Sequence, residues 1–144
     1  MNLNDVLNDE AQHASIVEDV CGLVDDEVAK QRGISGVAVK ASYKLVQGVK
    51  PGFVRSVVRV LLPDFATVLE PICEKAGTQG QSVGSYFSAH TPEVADALLS
   101  VTDARAQNSQ HRSIKSAYSK LRGSARKNVE SAVPGLGRII EKYV

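Results

Sequence analysis

The chain has 144 residues, a mass of 15.4 kDa and a net charge of only +1, a length that fits a single domain (1–144) burying roughly two-thirds of its unfolded surface without staples. Cys21 and Cys73 lie 52 residues apart with no CxxC, and no cationic-then-apolar leader or 18-residue apolar run occurs, which excludes a disulfide scaffold and predicts reduced thiols in a cytoplasmic protein with no membrane partner. Trp is absent and there are only four Tyr and three Phe, so the aromatic surfaces that line many ligand pockets are scarce, which weighs against a sizeable small-molecule site.

Taken in chain order, Val17, Val20, Cys21, Val24 and Val28 recur at spacings of three and four and predict a helix over 14–32 that stops at Gly33. Ser35 is placed to cap a second helix running to Gly48, with Val39, Tyr43 and Val46 on one side. Val54, Val57, Val58, Leu61 and Leu62 are strand-like in composition, yet their spacing is helical, and period outranks propensity. Pro63 reads as the first position of a further helix to about Lys75, with Pro71 kinking or breaking it. The uncharged stretch Gly77–Thr91 is expected to be a linking loop with a short turn at Val83–Ser88. Thr91 and Pro92 open the next helix as cap and first position, and Val94, Leu98 and Val101 carry its stripe to about Asn108. From Ser113 a long helix follows with Ile114, Tyr118, Leu121, Ala125 and Val129 on one side, and Pro134 separates it from a terminal helix, Leu136–Tyr143. No segment alternates with period two for long enough to demand a sheet, so the fold class is all-α, a multi-helix bundle.

The charge is segmental. Residues 1–33 hold eight acids against two bases, and residues 34–61 hold five bases and no acid. Residues 62–104 hold six acids and one base, while residues 105–144 hold nine bases and two acids. Such blocks can pair inside the fold, pair between subunits, or present a basic face to an anion. An internal duplication would generate the alternation. Val17–Ala29 and Val94–Ala106 share V-x-D-x4-V-x-D-x2-A at an offset of 77, and Val39–Gly48 and Ile114–Gly123 share [VI]-K-x-x-Y-x-x-[VL]-x-G at an offset of 75. The identities that carry weight are Asp19/Asp96, Asp26/Asp103, Lys40/Lys115, Tyr43/Tyr118 and Gly48/Gly123. Repeats at 17–61 and 94–136 predict two acidic-then-basic hairpins related by a pseudo-twofold. The eight Asp, Lys and Tyr residues then form a structural polar network, with Asp to Lys or Asp to Tyr contacts pinning one helix to the next in each half.

The phrases GISGVAVKASYKLVQGVKPGF, LLPDF, PEVADALLSVTDAR and AYSKLRGSARKNVESAVPGLGR together resemble an uncharacterised family of short bacterial proteins, a domain of unknown function, over residues 14–142. The resemblance implies a cytoplasmic, mostly helical bacterial protein and carries no activity, cofactor or site residue.

Familiar chemistry is weakly represented. His13, His90 and His111 are scattered among polar residues with no metal-ligand spacing and read as surface residues. No GxSxG or Cys-His pairing supports a nucleophile, and no metal or cofactor is implied. The turn Gly33–Gly36 has the GxxG form of a KH loop, but without strands it reads as a helix stop with Ser35 as cap; Lys50-Pro51-Gly52 reads as a turn. The clearest functional hint is the far side of the long helix, where Arg112, Lys115, Lys120, Arg122, Arg126 and Lys127 could track phosphates. A solvated face, or one paired with acidic helices, is the blander reading. The expectation is a non-enzymatic helical scaffold or protein-interaction domain, as a homodimer or with another protein partner. Anion or nucleic-acid binding through 112–127 is the alternative, and an enzyme built on Asp19, Asp26, Lys40, Tyr43 and their copies the weaker one.

Overall fold

A computed structural model describes residues 3–31, 33–110 and 112–144. Among them the chain forms only helices: α1 (Leu3–Leu7), α2 (Glu10–Ala29), α3 (Gly33–Gln47), α4 (Phe53–Thr78), α5 (Val83–Ala89), α6 (Thr91–Gln107) and α7 (Arg112–Tyr143). His111 and the side chains of Ser35 and Leu121 lie outside the described residues. No described helix is long and apolar enough to cross a membrane.

Local chemistry accounts for the starts and stops. Asp9 caps α2, its side chain accepting hydrogen bonds from the Ala11 and Gln12 amides. Gly33 and Gly52 adopt left-handed backbone (φ +74° and +71°) and turn the chain into α3 and α4, a conformation that would strain a residue with a Cβ. The α2 helix stops at Ala29, before Gly33, and α3 begins at Gly33, so Ser35 sits inside its first turn and not ahead of it. Thr91 is likewise the first residue of α6, with His90 at the cap position.

Three boundaries differ from the sequence expectation. Pro63 neither starts a helix nor does Pro71 end one, because α4 runs unbroken through both. The two prolines are eight residues apart and both are exposed, on the side of the helix away from the core, so the amide that each lacks lies outside the buried packing. The opposite face carries Val58, Leu62, Ala66, Leu69, Ile72 and Ala76 at steps of three and four, all buried, and that continuous stripe holds the helix together. In the same way α7 passes through Pro134 without a break. Most of Gly77–Thr91 is helix and not loop: α4 extends to Thr78, and α5 buries Tyr86 and Phe87.

The α7 helix is the spine, with α2, α3, α5 and α6 packed along it, while α4 lies against α6, α2 and α1. The main core gathers Leu69, Ile72, Phe87, Val94, Leu98, Val133 and Ile140, and a second cluster joins Val17, Val58 and Leu62. Where α5 crosses α7 the backbones nearly touch: a Cβ on Gly137 would stand 3.0 Å from the Gly84 Cα and 3.1 Å from the Phe87 Cβ.

Candidate functional site

Between α1, α2, α4, α6 and α7 lies a cavity of about 210 Å³, partly open to solvent. Its walls follow from the amphipathic periods of the helices that meet there. The α4 stripe supplies Leu62, Phe65, Ala66 and Leu69, α6 supplies Leu98, Leu99 and Thr102, and α7 supplies Val129, Ala132 and Leu136 with Ile139, Ile140 and Tyr143 near its end. Ile16, Val20 and Leu23 close one side from α2, and Leu3, Val6 and Leu7 close another from α1. No charged residue lines it, and both wall hydroxyls are engaged elsewhere. Tyr143 Oη donates to Asp19 Oδ2 at 2.7 Å. Thr102 Oγ1 lies 2.9 Å from Tyr118 Oη and 3.2 Å from the Leu99 carbonyl.

Polar ties surround this chamber. Tyr118 on α7 donates to Asp103 on α6, and Arg122 grips the same carboxylate through Nε at 2.9 Å and Nη2 at 3.2 Å. These contacts hold the Asp103 carboxyl below its usual range, the Tyr118 hydroxyl first and Arg122 after it. Burial and the Asp103 charge raise the Tyr118 hydroxyl in turn. Asp96 accepts from Arg126. Asp19 accepts from Tyr143 and, at 3.1 Å, from Lys142 Nζ, which lowers its carboxyl. Tyr43 on α3 donates to Asp25 Oδ1 on α2 at 2.5 Å, and burial followed by Asp25 raises its hydroxyl far above the ordinary value.

The structure therefore distributes the sequence-predicted residues unevenly. Asp103 and Tyr118 meet, but Asp96 and Asp19 are taken by Arg126 and by the end of α7 respectively. In the first half Tyr43 selects Asp25 and not Asp26. Asp26, Lys40 and Lys115 are exposed, with no side-chain partner among the described residues. At the offset of 77, Asp25 corresponds to Thr102, the other residue that Tyr118 touches. The matched pairs Val17/Val94 and Val58/Val133 are all buried, Val17 with Val58 in one cluster and Val94 with Val133 in the other.

On the basic face, Arg122 and Arg126 are spent on α6, and Arg126 also reaches Glu130. Arg112, Lys115, Lys120 and Lys127 are exposed, with no ion-pair partner among the described residues. The histidines correct the surface expectation. His13 is half-buried with Nδ1 3.3 Å from the Leu7 carbonyl, and His90 stacks on Tyr86 at 3.9 Å between ring centroids with Nδ1 2.9 Å from the Tyr86 carbonyl. Among the described residues no group of His, Cys, Asp or Glu has metal-site geometry. Cys21 and Cys73 are free.

The sequence reading missed the chamber. Every wall position looks like ordinary core in one dimension, and the only trace was small residues, Ala66 and Ala132, on otherwise bulky stripes.

A model of a family of unknown function (DUF6918) matches residues 3–144. No curated protein and no solved structure matches the chain.

Proposed function

We propose, for a chain that belongs to DUF6918 and so inherits no assigned activity, that it is a non-enzymatic binding domain holding a small apolar molecule in its interior chamber. The carrying observation is a cavity of about 210 Å³ whose wall is hydrocarbon and whose two wall hydroxyls are already engaged. Left unfilled, a partly open cavity of this kind leaves hydrocarbon wall without packing partners, which forfeits burial and dispersion. An occupant recovers much of that through dispersion and burial. The Asp, Lys and Tyr residues that an enzyme would use are engaged in helix-to-helix ties or scattered over the surface, which supports binding over catalysis.

Benzene, as a generic apolar probe, tests the reading. It is expected to raise the melting temperature of the wild-type chain by mass action and to do nothing for Ala132→Leu or Ala66→Phe, which fill the chamber. No shift in the wild type, at concentrations near saturation in water, rejects it.

A second reading, self-association, draws on the outer face of α3. Val37 is 69% and Leu45 48% exposed, eight residues apart, with exposed Lys40 and Lys44 between them. A second copy could cover that ridge with its acidic residues 1–33 against the basic residues 34–61 in an isologous pair. Sedimentation velocity decides: a dimer dissociated by Leu45→Asp supports it, and a monomer at high concentration removes it. Phosphate tracking keeps four of its six bases, which leaves it narrower support. We also take the two halves as copies within one domain, on the shared burial of Val17/Val94 and Val58/Val133 and the parallel tyrosine ties. Two unbridged cysteines and the likeness to short bacterial proteins support a bacterial cytoplasm as the compartment.

A further inference from the structure

Resting on the reading of an apolar chamber, we infer that its ligand is an unbranched aliphatic chain of about six to eight carbons and that α1 is the lid that admits it. A cavity near 150 Å³ lined by Leu, Ile and Phe accommodates benzene, and this chamber, at about 210 Å³, is larger by roughly two methylene groups or more. Its wall is Leu, Ile, Val and Ala apart from Phe65, Thr102 and Tyr143. Rotamer-rich aliphatic walls conform to a bending chain. A flat ring system gains from aromatic planes, and only two of the nineteen lining residues, Phe65 and Tyr143, supply one. A polar head has no partner inside, since Thr102 and Tyr143 turn their hydroxyls to Tyr118 and Asp19, so it stays at the mouth.

The lid follows from how α1 is held. Five residues are too few to persist as an isolated helix, and three of them, Leu3, Val6 and Leu7, spend their side chains on the chamber. Val6 is only 2% exposed. Polar fastenings reach α1 from other helices, among them the Leu3 amide, which donates to Glu70 Oε2 on α4 at 2.8 Å, and His13 Nδ1, which lies 3.3 Å from the Leu7 carbonyl. The joint to α2 is already prepared for separation. Asp9 caps α2 by itself, so α1 can lift without unravelling the helix behind it. Being short and broken from α2 at that cap, α1 opens apart from the helices behind it, and it widens the mouth of the chamber when it does.

The test titrates the full chain with 1-octanol as the chain probe and naphthalene as the ring probe, following methyl shifts of Leu98 and Ile140 by NMR and exchange rates by line shape. Octanol is expected to bind more tightly than naphthalene and to be lost in Ala132→Leu. Glu70→Ala is expected to speed both entry and exit of octanol by about tenfold, the effect of losing one charge-assisted hydrogen bond, and Glu70→Gln, which keeps an acceptor, by less. Circular dichroism of each variant confirms that its helices persist, and Leu3→Ala repeats the lid test without touching α4. Naphthalene binding without octanol overturns the chain assignment and leaves the chamber standing. Octanol exchange unchanged in both Glu70→Ala and Leu3→Ala overturns the lid. Neither probe binding, with benzene also silent, removes the chamber reading itself.

Discussion

The Tyr118 hydroxyl donates to the Asp103 carboxylate across the α6–α7 seam while Thr102 sits 2.9 Å from the same hydroxyl. Because Tyr118 is the largest influence holding Asp103 low, Tyr118→Phe is expected to raise the Asp103 midpoint, read by carboxyl NMR titration. Asp103 is partly exposed, so the stability lost at neutral pH should be no more than about 1 kcal/mol.

Acid sensitivity follows from the same pair and from Asp19. Both carboxyls are lower in the folded chain than their ordinary 3.8, so the unfolded chain binds protons first as pH falls. Their contribution is complete above about pH 5 and fades as pH drops through the unfolded and then the folded midpoints. Urea unfolding between pH 6 and 2 should show this loss, and Tyr143→Phe should shrink it by raising Asp19.

At the alkaline end the sign reverses. Burial and Asp25 raise Tyr43 above its ordinary 10, so the unfolded chain ionises first and the fold loses stability as pH climbs past that value. Phenolate absorbance should show a tyrosine that titrates only on unfolding, and Tyr43→Phe should remove that component.

Burial also raises the Cys73 thiol to about 11, with Glu70 adding to it. At pH 8 about one molecule in a thousand then carries the thiolate. Alkylation of native protein should label Cys21 well before Cys73, and equal rates would show that α4 opens readily.

The α5–α7 crossing leaves no room for a side chain at Gly137. Gly137→Val should cost about 1–3 kcal/mol by overpacking, measured by denaturant midpoint. Gly77→Ala, where a Cβ meets nothing within 4 Å, is the matched control at a position inside α4.

Helical periodicity was legible wherever a stripe ran long, as from Val54 to Leu62. At Pro63, Pro71 and Pro134 the local rule about a missing amide points to a break, and the stripe that continues on both sides overrides it. Gly77–Thr91 looked like a linker from its composition, but Tyr86 and Phe87 have a groove to fill that only the folded α4, α6 and α7 create. The Tyr118–Asp103 tie could be guessed from the repeated Tyr and Asp positions, whereas Tyr43 chose the neighbouring Asp25, a difference of one residue that depends on helix rotation. The chamber depends on how five stripes fail to fill a shared space, and no single stripe carries that information.

The chamber wall draws on α1 and on the last turns of α7 together. During synthesis α1 leaves the ribosome long before Ile139, Ile140 and Tyr143 do, so until α7 emerges a nascent chain has no complete chamber however much of its core has formed. On the proposed reading a ligand is taken up only once α7 has emerged, and a hydrophobic molecule that met the growing chain before then would find an open greasy surface, which is an invitation to aggregate.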